Sequence, residues 1–387
     1  MDEKAEYLKD EDMPDYTTES NITEKLLDEV ERCEDINDIR NVLKLHSEFY
    51  TNWKMYINRL VDSYGGYSIN KFASKCGFSK NTVRSWCNQG LMPRNRKEYI
   101  KLGMGLGMNE AEINRLLQRY ARYPKLYAKN IEDVIYLFAI HNRKDFKYAE
   151  RLRAALLDKF QIIEFTRESV MQKIVYSTSK VYQDLLALQF EDELIAFIDS
   201  NLDMFAAVYN DLIEFIDSYI LLNTFDYVNY TGEESLHYFL KSRIKNSRLV
   251  SLFDNMITML KKHRVIPDKT KLIAFGLYLN MNPNDMNLML QKAGMEPLCA
   301  RDKAESVVIF ALNDIFLKNP DIELSNKQLL ERFVNDDRLK AECRRFIYIC
   351  YEYDYQSEFT DEDVTEYVKS QLENIKLDDM QDLLELL

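Results

Sequence analysis

The sequence predicts an all-α fold, and three observations carry that prediction. Apolar residues recur every three or four positions almost everywhere, the period of a helix face and not of a strand. Gly and Pro number only 10 and 7 in 387 residues, too few for the tight turns of a strand-rich architecture or a Gly-rich nucleotide fold. One helical pattern also occurs twice. Hydrophobic residues make up 46% and charged residues 30%, the composition of a chain that buries cores. The length suggests two to three domains of about 150 residues each.

Taken in order, residues 1–52 form an acidic leader and a first helix, with helix expected near Thr23. A compact unit is expected over 53–142, where residues 131–140 (IEDVIYLFAI) read as a buried helix. A helical middle follows over 143–231, with amphipathic or buried helices at 182–198 and 204–222. A second module spans 232–314, and an acidic helical tail, with a helix over 364–387, spans 315–387.

The repeat pairs residues 99–124 (YIKLGMGLGMNEAEINRLLQRYARYP) with 272–297 (LIAFGLYLNMNPNDMNLMLQKAGMEP). At a constant offset of 173, Gly103 matches Gly276, Asn109 matches Asn282, Leu117 matches Leu290 and Pro124 matches Pro297. After one deleted residue, Phe138-Ala139-Ile140 matches Phe310-Ala311-Leu312. Asn109 and Glu112 have capping-box spacing, and Asn282-Pro283 places an N-cap before a first-turn proline. Two copies of one helical module are therefore expected.

Upstream of the first copy lies YSINKFASKCGFSKNTVRSWCNQGLMPRNRKEYIKLGMGLGM, residues 67–108. Ser68 can cap a helix whose Ile69, Phe72, Ala73 and Cys76 share one face, and Gly77 supplies the left-handed turn that ends it. Ser79 can cap a second helix with Val83, Trp86 and Cys87 turned inward. Its remaining positions, Lys80, Asn81, Arg84, Ser85 and Asn88, are all polar and point outward. Two short helices joined by a Gly turn, the second basic and polar-faced, have the form of a DNA-reading unit.

These residues resemble the λ-repressor-like (XRE) helix-turn-helix family. Phe72-Ala73, Gly77-Phe78-Ser79, Thr82-Val83, Trp86, Asn88 and Pro93 follow its common run, while Ile69 and Cys87 stand where the family usually has Gln and Glu. The resemblance covers roughly residues 53–120 and implies a five-helix domain whose third helix, here 79–89, lies in the major groove of double-stranded DNA. It implies base contacts from Lys80, Asn81, Arg84 and Ser85, and phosphate contacts from Arg94, Arg96 and the start of the second helix.

The charge distribution points the same way. Net charge is −13, yet residues 1–38 carry −11 and residues 352–387 carry −10, which leaves +8 between them. Residues 66–105 alone hold +7. Arg84 in a major groove can pair bidentately with guanine and Asn81 with adenine, each worth about 1–3 kcal/mol of discrimination. Lys75, Arg94, Arg96, Lys97 and Lys101 would add salt-sensitive phosphate attraction. In the second copy, residues 247–266 lack a Gly turn and are apolar in the middle, so packing or dimerisation is favoured there over DNA contact. The acidic ends have a plain reading as solvating segments and a sharper one, in which one end lies over the basic window.

Nothing points to an enzyme or a cofactor. The four His (46, 141, 237, 263) are scattered, and no pair has metal-ligand spacing. Gly103-Met104-Gly105-Leu106-Gly107 follows no strand and lacks a GK[ST], which favours close helix packing over phosphate binding. The six Cys show no CxxC pair and read as reduced thiols, consistent with a cytoplasmic protein. No stretch reaches the ~18 apolar residues of a membrane span. The expectation is a cytoplasmic, sequence-specific transcriptional regulator, forming a homodimer or holding a protein partner through residues 143–387. The alternative is a helical interaction adaptor in bacterial signalling or defence, its modules used only for packing.

Overall fold

Many helices in this chain begin where Asn, Asp or Ser can accept an orphan backbone N–H. Asn52, Ser68, Ser79, Asn95, Asn109 and Asn130 each do so at a helix start, and Asp268 and Asn282 do so later in the chain. The computed structural model describes residues 16–47, 50, 52–66, 68–156, 159, 178–206, 210–223, 232–263, 265–318, 363–375 and 380–387. Among them stand twenty helices and no strand. The fold is all-α.

Two hydrophobic cores divide these helices. The first gathers α3 (Trp53–Gly65), α4 (Ile69–Cys76), α5 (Lys80–Gln89), α6 (Arg96–Leu106) and α7 (Glu110–Arg115). It continues through a π-helical turn, Leu116–Tyr120, and then α8 (Ile131–His141), α9 (Phe146–Ala155), α10 (Thr178–Leu186), α11 (Glu191–Ser200) and α12 (Leu202–Ala206). The second core holds α13 (Asn210–Asn223), α14 (Gly232–Arg243), α15 (Ser247–His263), α16 (Lys269–Tyr278), α17 (Pro283–Lys292) and α18 (Lys303–Lys318). It also takes both ends of the chain: α1 (Tyr16–Glu31) and α2 (Ile36–Leu45), with α19 (Val364–Ile375) and α20 (Gln381–Leu384). Leu26, Val30, Ile39 and Leu43 belong to that core together with Val364, Val368 and Leu372. The described parts of both acidic ends are thus anchored by their apolar faces in the second core. Residues 1–15 and most of the tail, 319–362, lie outside the described residues.

One expected helix divides. The segment 182–198 breaks between Leu186 and Glu191, where the Glu193 carboxylate accepts the N–H groups of Gln189 and Phe190 and so starts a new helix.

The repeat holds in three dimensions, contact by contact. In the first copy the Arg96 guanidinium forms a two-pronged pair with Asp133, at 2.6 and 2.9 Å, and donates to the Pro124 carbonyl. In the second, Lys269 Nζ pairs with Glu305 at 2.7 Å and donates to the Pro297 carbonyl. Both carboxylates accept a backbone N–H, from Tyr127 and Cys299 respectively. The side-chain oxygens of Asn114 and Asn287 accept the N–H groups of Leu126 and Leu298. A Cβ on Gly103 would stand 2.6 Å from Ile113, and one on Gly276 2.7 Å from the flexible end of Met286, so both copies place a glycine where these helices meet. All of these pairs keep the offset of 173, or 172 past the deletion.

Arg122 joins the two cores. Its carbonyl accepts the Lys269 N–H at 2.9 Å, and its guanidinium reaches Asp302 at 2.5 Å and Thr270 at 3.0 Å. The residue adopts φ +56°, a left-handed conformation that costs an arginine about 1 kcal/mol. The preceding π-turn displaces the chain by one residue and brings Arg122 to the helix-terminating place that Gly294, at φ +73°, fills in the second copy.

The buried pairs set a stability test. Arg96→Met leaves the Asp133 carboxylate, 1% exposed, without its cation. Urea unfolding should show a loss of about 3–5 kcal/mol, and Lys269→Met a loss of the same order. A loss below ~1 kcal/mol in both would show that the pairs are not structural.

Candidate nucleic-acid interface

The local sequence dictates how α4 and α5 are held. The Ser68 hydroxyl accepts the Lys71 N–H, and Phe72, Ala73 and Cys76 are buried while Ile69 is half-buried. Gly77, at φ +70°, ends the helix, and the Phe78 N–H closes back onto the Ala73 carbonyl at 2.9 Å. Ser79 then caps α5 by accepting the Thr82 N–H at 3.0 Å. Three residues join the two helices.

The inner face of α5 is fully engaged. Val83, Trp86 and Cys87 are buried. The Trp86 ring meets Phe78 edge-on at 4.8 Å and Trp53 at 6.2 Å. From α3, the Asn58 amide donates to the Cys87 carbonyl and Trp53 Nε1 to the Leu91 carbonyl, at 3.1 and 2.9 Å. α5 is thereby fixed along its length, and its outer face is left over.

On that outer face Lys80, Asn81, Arg84 and Asn88 are exposed, and Ser85 is half-buried with its hydroxyl donating to the Asn81 carbonyl. Lys75 is exposed, 5.2 Å above the Tyr64 ring, and Arg94 is exposed in the loop after α5. Among the described residues, none of Lys75, Lys80, Arg84 and Arg94 has a carboxylate within ion-pair distance.

Three residues expected at phosphates, Arg96, Lys97 and Lys101, are engaged within the protein's own contacts. Arg96 spends its guanidinium on Asp133 and on the Pro124 and Lys125 carbonyls. Lys97 pairs with Glu150. Both lie in the first turn of α6, which packs beside the α8–α9 layer. The repeat carried the signal for Arg96: the copies preserve a cation at 96 and 269 and an acid at 133 and 305. Lys101, also counted in the basic window, donates to the Gly77 carbonyl at 2.7 Å.

The glycine run at 103–107 is a packing device. Gly103 admits Ile113, a Cβ on Gly105 would stand 2.6 Å from the Cys76 Cα, and Gly107 ends α6 at φ +77°. Burial pushes the Cys76 thiol up to about 12 and, with nearby carboxylates, the Cys33 thiol to about 11, so neither is a nucleophile at neutral pH. Among the described residues no cluster of His, Cys, Asp or Glu could hold a metal, and no helix is long and apolar enough to cross a membrane. Cys343 and Cys350 lie outside the described residues.

In the second copy the aligned positions are recast. The segment 250–252, opposite the Gly77–Ser79 turn, lies inside α15, and Phe253 and Ile257, opposite Lys80 and Arg84, are buried. The Phe253 ring packs on Phe275 and Tyr278. Comparison with known proteins yields no matching family model, curated protein or solved structure.

The Lys97–Glu150 pair carries a pH dependence. Burial raises the Glu150 carboxyl, but hydrogen bonds from Lys97 and Tyr136 outweigh it and hold the group below its ordinary value. A lowered folded-state pKa contributes stability above the unfolded value, near 4.3, and loses it as pH falls through the folded value. Urea midpoints should therefore drop more steeply below about pH 4 in the parent chain than in Glu150→Gln. Parallel curves would remove Glu150 as a contributor.

Proposed function

We propose that the chain is a sequence-specific DNA-binding regulator of the XRE helix-turn-helix type, with α5 as the helix that enters the major groove. One observation carries the reading. α5 is immobilised on its inner face, while its outer face shows Lys80, Asn81, Arg84 and Asn88 to solvent with no acidic partner among the described residues. A packing module has no use for a clamped helix with unneutralised cations, whereas groove recognition needs both. Arg84 and Asn81 are assigned to bases, and Lys75, Lys80 and Arg94 to phosphates. Arg96 is withdrawn from the contact set, since its charge is spent on the buried Asp133, and Lys97 is withdrawn because it pairs with Glu150 at the surface.

The second copy is assigned to packing. With Phe253 and Ile257 buried, it offers no polar face at the aligned positions, so each chain brings one reading helix to DNA. An operator with two half-sites would then require two chains, which is where a homodimer enters the proposal.

Salt titration tests the reading. With about three phosphate contacts, log affinity should fall against log salt with a slope near −2.7, roughly a 40-fold loss between 50 and 200 mM. Arg94→Ala should reduce that slope by about one and weaken all sequences alike, while Arg84→Ala should relax preference at one base pair. A flat salt response in the parent chain refutes the proposal.

A further inference from the structure

We infer that Lys101 is a positioning residue that sets the aim of α5; its ammonium serves the turn between α4 and α5 and not the DNA backbone. The inference rests on the DNA-binding reading above for its consequence, and on geometry alone for the contact itself.

Only Gly77, Phe78 and Ser79 separate the two helices, so the direction of α5 relative to α4 depends on three residues. The N–H groups of Gly77 and Phe78 are taken up by the last turn of α4. The Gly77 carbonyl, at the negative end of that helix, is left over, and Lys101 Nζ donates to it at 2.7 Å. The same ammonium lies 4.4 Å from the centre of the Phe78 ring, and that ring lies edge-on to Trp86 at 4.8 Å. A single cation therefore grips two of the three turn residues, one directly by its carbonyl and the other through its ring, which leads on to the inner face of α5. Its reach depends on Gly105, one helical turn further along α6, where a Cβ would stand 2.6 Å from the Cys76 Cα. Glycine there lets α6 approach α4 closely enough for Lys101 to span the gap.

A lysine used this way differs from a phosphate-contacting lysine in what its removal does. Loss of a phosphate contact weakens every sequence and lowers the salt slope by about 0.9. Loss of a positioning contact loosens the turn without DNA present, spoils the specific site, and leaves the slope alone.

The test compares the full-length parent with Lys101→Met, Lys101→Arg and Arg94→Ala. Hydrogen exchange of the free protein is followed over residues 74–82, with α8 as an internal control for global stability. Lys101→Met should exchange about ten-fold faster over 74–82 with α8 unchanged, the effect of losing one charge-assisted hydrogen bond, and Lys101→Arg should restore most of the protection. In DNA titrations Lys101→Met should cut the ratio of specific to random-duplex affinity by about ten-fold at an unchanged salt slope, whereas Arg94→Ala lowers the slope and leaves exchange alone. Unchanged exchange over 74–82, or a slope lowered by about 0.9 with the ratio intact, overturns the inference. If the parent chain binds no DNA, the proposed function fails while the exchange measurement still decides whether Lys101 holds the turn.

Discussion

The structure depends on a buried ion pair placed twice, Arg96 with Asp133 and Lys269 with Glu305. Each pair ties the first turn of one helix, α6 or α16, to the first turn of another, α8 or α18, and adds a proline carbonyl to the same cation. The acids sit where a helix N-terminus favours negative charge, and each also accepts a backbone N–H. The cations sit at an end that disfavours them, so they are held by the acids and by the loop carbonyls. Burial pushes the Glu305 carboxyl up even with Lys269 beside it, which shows how far the pair is withdrawn from water. Such a pair adds little net stability over an apolar substitute, but it admits one register only. The register of α6 against α8 in turn sets where α4 and α5 rest.

From that common frame the two copies diverge most at the turn after α4. Gly77 allows the left-handed residue that ends α4, and α5 departs with its polar face outward. At the aligned segment Val250, Ser251 and Leu252 have no such freedom, and α15 runs on as one helix of seventeen residues. Its apolar positions then need cover. α14 and the Phe275 and Tyr278 rings of α16 supply it, while helices from both ends of the chain, α1, α2, α19 and α20, pack on α16 and α18 in the same core. An acidic leader and tail are thereby put to structural use through their apolar faces.

The charge pattern separates what counting can do from what it cannot. A window of +7 in an acidic chain marks where a polyanion could bind. Three of its eight cations, Arg96, Lys97 and Lys101, are nevertheless consumed by a buried acid, a surface glutamate and a backbone carbonyl. Those that remain exposed, Lys80 and Arg84 above all, occupy the helix positions that periodicity assigned to solvent.

The sequence by itself determined the helical class, the helix starts at Ser68, Ser79, Asn109 and Asn282, the inner face of α5 and the repeat. Each of these is local: Ser79 caps because of its hydroxyl, Gly77 turns because it lacks a Cβ, and Val83, Trp86 and Cys87 share a face because of the 3.6-residue period. Only the tertiary structure decided that α1 and α2 join the second core, that Arg96 and Lys97 pair with Asp133 and Glu150, and that a π-turn carries Arg122 across to Asp302. Those outcomes depend on partners tens to hundreds of residues away, such as Asp133, Glu150 and Asp302. A side chain on a helix surface meets solvent or another helix according to how the elements pack, and no local pattern records that.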